Sequence, residues 1–139
     1  MKSLSILLIL LSLSQIAKAA EDLSCLSGTV EQQFSCVEDT FKLSEQVLNQ
    51  TYQKIVAALE NKQEYGKEKN FIYENMVSRL RISQRSWLYF RAGQCEMESF
   101  SKINKQHVIS AQLVCNTKLN FERTTSLKET FSDYLKMTF

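Results

Sequence analysis

Chemistry concentrates in one stretch of this chain, Gln84-Arg85-Ser86-Trp87-Leu88-Tyr89-Phe90-Arg91-Ala92-Gly93-Gln94-Cys95, which holds the sole tryptophan, two arginines and a cysteine. Gln84, Trp87, Arg91 and Cys95 are spaced i, i+3, i+7 and i+11, so on a helix they share one stripe. An indole, an amide and a guanidinium in a row are unlike an ordinary apolar seam. They can lock a polar network inside a bundle, or they can form a recognition face, because Trp and Arg dominate interface hot spots.

Catalytic chemistry finds little support. The one histidine, His107, lies in a polar stretch that reads as a solvated turn. Paired cysteines leave no thiolate nucleophile. There is no glycine-rich phosphate loop, serine elbow or metal-ligand cluster. Glu96 and Glu98 are i, i+2 and point apart on a helix. The expectation is a protein that is not an enzyme and uses no cofactor and no metal.

The elements that position the stripe begin after a targeting segment. Lys2 gives a short positive start, Leu4 to Leu13 is an apolar run broken by Ser5 and Ser12, and Ala17-Lys18-Ala19 supplies small residues for a cleavage site. Cleavage after Ala19 or Ala20 is expected, making 1–20 a signal peptide. No later segment is apolar enough to span a bilayer. Residues 21–139 then form a single domain of about 120 residues. All four cysteines, Cys25, Cys36, Cys95 and Cys115, lie in it. An even count in a small exported chain reads as a disulfide framework, the alternative being four free thiols.

The whole chain carries 17 basic and 15 acidic residues, and losing Lys2 and Lys18 leaves 15 of each. A neutral chain lacks the positive field that nucleic-acid binding needs. Neutrality hides an asymmetry. Residues 20–60 carry a net charge of −5 and residues 61–94 a net charge of +4. An acidic face of this kind suits a basic partner.

With no proline and only Gly28, Gly66 and Gly93 as glycines, the chain reads as all helical. The first helix starts near Val30, where Thr29-Val30-Glu31-Gln32 has the form of a capping box. Its apolar stripe is Phe34, Val37, Phe41, Leu48, Tyr52, Ile55 and Leu59, with a gap near Ser44 and Glu45, and it ends around 61–66. A second helix spans about 67–100 on a stripe of Ile72, Met76, Leu80, Trp87, Phe90 and Met97. Gly93 within it marks a kink or a close packing contact. A third spans about 105–136 on Val108, Gln112, Cys115, Leu119, Arg123, Leu127, Phe131 and Leu135. Tyr65, Tyr73, Tyr89 and Phe121 fall off these stripes and are expected to be partly exposed.

Short connections make sequential helices antiparallel. The fold class is therefore all-α, a three-helix antiparallel up-down-up bundle with an N-terminal flap and two disulfides. Sequence order allows three cysteine pairings, but register chooses among them. Cys95 and Cys115 stand level across a turn centred near position 105, and Cys25 and Cys36 flank the Gly28-Thr29 turn. The same register brings Asn49, Gln84, Trp87, Arg91 and Arg123 to one level, with Arg91 beside Leu119. A shielded position favours the network reading of Trp87.

These residues also carry a family resemblance. Leu48-Asn49-x-x-Tyr52, then Gln84-Arg85-x-Trp87-x-x-Phe90-Arg91-x-x-x-Cys95, then Cys115 followed by Arg123 and Leu127, resembles the lysozyme inhibitor LprI family of small exported bacterial proteins. The resemblance includes the Cys25 and Cys36 spacing and covers nearly all of the mature chain. It makes Asn49, Tyr52, Gln84, Arg85, Trp87, Arg91 and Arg123 signature residues. It departs at Ala92, where the family usually has an acid. It implies a periplasmic or secreted protein with a protein partner, lysozyme or another cell-wall hydrolase, occluded by the turn that carries Lys102 and Lys105 or by basic residues of the second helix. The competing reading is a non-inhibitory envelope or secreted interaction module on the same scaffold. Asn49-Gln50-Thr51 matches a glycosylation sequon but sits mid-helix in a chain that resembles bacterial proteins, and is discounted.

Overall fold

A computed structural model describes residues 25, 27–61, 67–101 and 105–135. The expected targeting segment, 1–20, lies outside them, as do Tyr65, Gly66 and Lys102. The described residues form three long helices, α1 (Val30–Glu60), α2 (Lys67–Ser99) and α3 (Lys105–Thr130), and one short turn of helix, α4 (Ser132–Leu135). None of the described residues is in a strand. The chain divides into two compact units, one ending at Val37 and one running from Glu38 to Phe139.

In the first unit, the start of α1 follows from side-chain capping. The Thr29 amide donates to Gln32 Oε1 at 2.8 Å, and the Gln32 amide donates to Thr29 Oγ1 at 3.3 Å. This reciprocal pair satisfies two backbone donors that a helix N-terminus leaves open. Gly28 precedes it with φ +97°, a left-handed conformation that a side chain resists. A disulfide joins Cys25 to Cys36 with Cα atoms 5.4 Å apart.

In the second unit, α1 and α2 run antiparallel, tied by the Arg81–Glu60 ion pair at 2.8 Å. The α2–α3 pair is also antiparallel, stapled by the Cys95–Cys115 disulfide with Cα atoms 5.5 Å apart. The three long helices thus run up, down and up. Their core is Leu48, Ile55 and Leu59 from α1, Val77 and Leu80 from α2, and Leu127 from α3. Each such side chain contributes about 1.5–3 kcal/mol on burial. Tyr52, Met76, Trp87 and Phe131 pack around it. α3 ends at Thr130, earlier than its periodicity predicts. The chain breaks at Phe131 before α4, whose Tyr134 sets its ring edge-on to Tyr73 at 6.4 Å and points its hydroxyl at Met76 Sδ.

The inward stripe of α2 differs from the predicted one. Ile72, Phe90 and Met97 are exposed, whereas Val77, Gln84, Cys95 and Ser99 are buried. Tyr73, expected to be partly exposed, is half-buried against the core. Polar residues occupy inward positions that an apolar template cannot recognise, so the template slides onto the outer face. Gly93 is not a close contact within the chain: a Cβ added there meets nothing within 4 Å.

Candidate functional site

α2 turns Gln84, Trp87, Arg91 and Cys95 inward along the stripe their spacing predicts. Gln84 and Cys95 are buried, and Trp87 and Arg91 are partly so. Around Arg91 the three long helices meet in a closed polar network. Its guanidinium donates to a Glu45 carboxylate oxygen on α1 and to Asn120 Oδ1 on α3. Asn120 is fully buried, and its amide nitrogen donates to Ser44 Oγ at 2.9 Å and to Glu45 Oε1 at 2.8 Å. Ser44 in turn donates to the Phe41 carbonyl at 2.7 Å.

The arrangement specifies geometry more than it adds stability. The Arg91 side chain is only 14% exposed, so its charge has left most of its water and is repaid by Glu45 and Asn120. An asparagine bonded on two sides admits one relative setting of the helices. Arg91 Nε is the single buried side-chain nitrogen or oxygen among the described residues without a hydrogen-bond partner.

A second polar set lies on the other side of Trp87. Arg123 of α3 donates from Nε to Gln84 Oε1 at 3.1 Å and from a terminal nitrogen to Ser83 Oγ at 2.9 Å. Burial lowers the Arg123 pKa, yet a guanidinium starts so high that it stays charged at any working pH. Both guanidiniums lie over the indole of Trp87, Arg91 at 5.3 Å and Arg123 at 5.9 Å from the ring centroid. Two cation–π contacts in part-buried surroundings are worth about 0.5–2 kcal/mol each. Below Arg123, α2 and α3 leave a shallow cleft of about 400 Å³ with Arg79 and Ser83 at its side and Met76, Leu127 and Phe131 as apolar floor.

The predicted site residues separate into groups. Gln84, Trp87, Arg91 and Arg123 come together as register implies. Tyr52 packs half-buried on the core. Asn49 is exposed and does not join them. Arg91 pairs with Glu45, about one helical turn from where the first-hairpin register sets it, and with Asn120 rather than Leu119. Arg85 is exposed, and its side chain has no partner among the described residues. Lys102 lies outside the described residues, and Lys105 opens α3. Ala92 is exposed, so an acid at that position is not needed to balance Arg91.

Sequence reading missed Ser44, Glu45, Ser83 and Asn120. Two signals pointed to three of them, and none to Ser83. The gap in the α1 stripe falls on Ser44 and Glu45, and Asn120 sits midway between Leu113 and Leu127 at heptad spacing. Thr117 and Thr124 extend the same buried line, each returning its hydroxyl to a carbonyl one turn back at 2.8 Å. The Glu45 carboxylate is held by two donors, Arg91 and Asn120. Among the described residues no group of acidic, histidine and cysteine side chains is placed to hold a metal. No helix of the described residues is long and apolar enough to cross a membrane.

Comparison with known proteins places this geometry. The sequence model of the lysozyme inhibitor LprI family matches residues 25–127, from the first cysteine to the core leucine of α3. An uncharacterized protein of Rhizobium meliloti (strain 1021) is 28% identical over 94 residues, which cover 68% of each chain. No solved structure matches the chain.

Proposed function

The chain belongs to the lysozyme inhibitor LprI family, and from that premise we propose that it acts outside the cytoplasm by binding and blocking a peptidoglycan hydrolase of the lysozyme type. In this reading residues 1–20 direct export and are removed, and residues 21–139 work as one periplasmic or secreted domain. Two disulfides in a chain of this size agree with an oxidising compartment. The observation that carries the proposal is the family match across the helical scaffold.

The geometry supports a binding role. The Arg91 and Arg123 networks are closed among α1, α2 and α3, so the constellation acts as the frame and the partner is met elsewhere. A lysozyme cleft carries two catalytic carboxylates, and a blocker has to enter or cap it. The α2–α3 hairpin is the suitable arm. It is stapled at Cys95–Cys115, and the sequence beyond the staple carries Lys102 and Lys105, cations that complement a carboxylate-lined cleft.

The test is hydrolysis of peptidoglycan by several lysozyme types with the purified, oxidised protein at micromolar concentration. Slowing of at least one type is expected. No slowing of any discards inhibition, and a pull-down from envelope extract that recovers a partner other than a muramidase then supports the non-inhibitory interaction module.

A further inference from the structure

The outer face of α2 carries large apolar side chains that stand mostly exposed and lie outside the core of the described residues. Ile82, Tyr89, Phe90, Met97 and Phe100 are 54, 77, 57, 61 and 73% exposed. Ile82 to Tyr89 and Phe90 to Met97 are heptad steps, so these residues share one side of the helix. Between them lie the small residues Ser86, Ala92 and Gly93. Glycine is a poor choice inside a helix, and nothing within the chain requires it here, since its missing Cβ faces open space. Arg85 and Glu96 stand on the same flank of this face, both exposed, and neither side chain has a partner among the described residues.

We propose that two copies of this chain associate through this face, α2 against α2, antiparallel about a two-fold axis between positions 90 and 91. The axis keeps each flank on its own side. Arg85 of one copy then meets Glu96 of the other, and the pair forms twice. Tyr89 lies over Gly93 of the second copy, and Ile82 meets Phe100. A parallel pairing carries the Arg85 and Glu96 flanks of the two copies to opposite edges of the interface, where no Arg85–Glu96 pair forms, so charge selects the antiparallel one. Charge, notch and apolar surface are all self-complementary. An isologous interface requires that, and an unrelated partner does not. The five side chains expose roughly 100 Å² each. Two copies therefore bury about 1,000 Å², the lower bound for a specific interface.

Sedimentation velocity on the oxidised chain across micromolar concentrations tests this. A concentration-dependent dimer is expected. Arg85→Glu and Glu96→Arg should each weaken it about tenfold, and the combined charge swap should restore it, because the exchanged charges attract as well as the native pair. Gly93→Lys should also weaken it without lowering the monomer's thermal melt, since lysine is the better helix former. A monomer at every soluble concentration, or a dimer indifferent to both charge reversals, overturns the proposal. So does a monomer whose charge reversals abolish hydrolase binding, which assigns the face to the hydrolase.

Discussion

Arg91 on α2 and Glu45 on α1 lie 46 residues apart and form a part-buried ion pair, with Asn120 of α3 bonded to both partners. One side chain therefore holds all three long helices in register. Removing it leaves the Glu45 carboxylate without its counter-charge, held by Asn120 alone, and leaves Asn120 Oδ1 without its donor. Breaking a buried pair costs about 3–5 kcal/mol, and Glu45 keeps 33% exposure, which sets this case at the lower end. Arg91→Met should lose about 3 kcal/mol in urea unfolding. Adding Glu45→Gln should recover part of it. A loss below about 1 kcal/mol would mean that water already solvates the pair.

Arg91→Lys separates geometry from charge. An ammonium keeps the charge, but the shorter lysine lacks the planar group whose one terminal nitrogen bonds both Glu45 and Asn120 while its plane lies over Trp87. The lysine variant should fall between wild type and Arg91→Met, about 1–2 kcal/mol below wild type. Stability equal to wild type would show that only the charge matters.

How far this network was legible in the sequence follows from its residue types. Trp87, Arg91 and Gln84 stand out because they are rare and regularly spaced, and level cysteines across a short turn are enough to pair Cys95 with Cys115. Ser44, Glu45 and Asn120 do not stand out, because a polar residue on a helix is ordinarily solvent-facing. Only their interruption of leucine lines betrays them. The first-hairpin register was off by about one turn because an assumed turn centre at Gly66 sets the pairing, and a one-residue error there moves every partner. The α2 stripe slid to the outer face for the reason Ile72, Phe90 and Met97 show: large apolar residues sit outside as well as inside.

The two disulfides should differ in weight. The Cys95–Cys115 bridge closes a sequence separation of 20 and the Cys25–Cys36 bridge one of 11. In the chain-entropy account each stabilises by about 3 kcal/mol, the longer loop by about 0.5 kcal/mol more. Paired Cys→Ser variants, melted separately, should show Cys95–Cys115 as the costlier loss. Peptide mapping of unreduced protein should recover those two links. A Cys36–Cys95 peptide contradicts the fold.

Gly28 and Gly93 should respond oppositely to alanine. At Gly28 the backbone has φ +97°, and a Cβ would come within 2.5 Å of Gln32 Oε1, the acceptor of the capping box. Gly28→Ala should cost about 1–3 kcal/mol through strain and a disturbed cap. At Gly93 the helix is regular and the space open, so Gly93→Ala should gain up to about 1 kcal/mol. Thermal melts of the two single variants read both signs.

The hairpin proposed to meet the hydrolase should be separable from the network that holds the fold. If Lys102 and Lys105 approach carboxylates in a hydrolase cleft, reversing both charges replaces attraction with repulsion at the contact. Lys102→Glu with Lys105→Glu should raise the inhibitory concentration about tenfold or more. Added salt, which weakens the native attraction, should weaken the variant's binding less, because it screens the new repulsion. If these lysines serve the contact and not the fold, the melting temperature should stay near wild type. Reducing the protein should also raise the inhibitory concentration, because the Cys95–Cys115 staple holds the base of that arm. Inhibition unchanged by the double reversal would move the contact to another surface while leaving the scaffold argument intact, whereas a fallen melting temperature would show that these lysines support the fold.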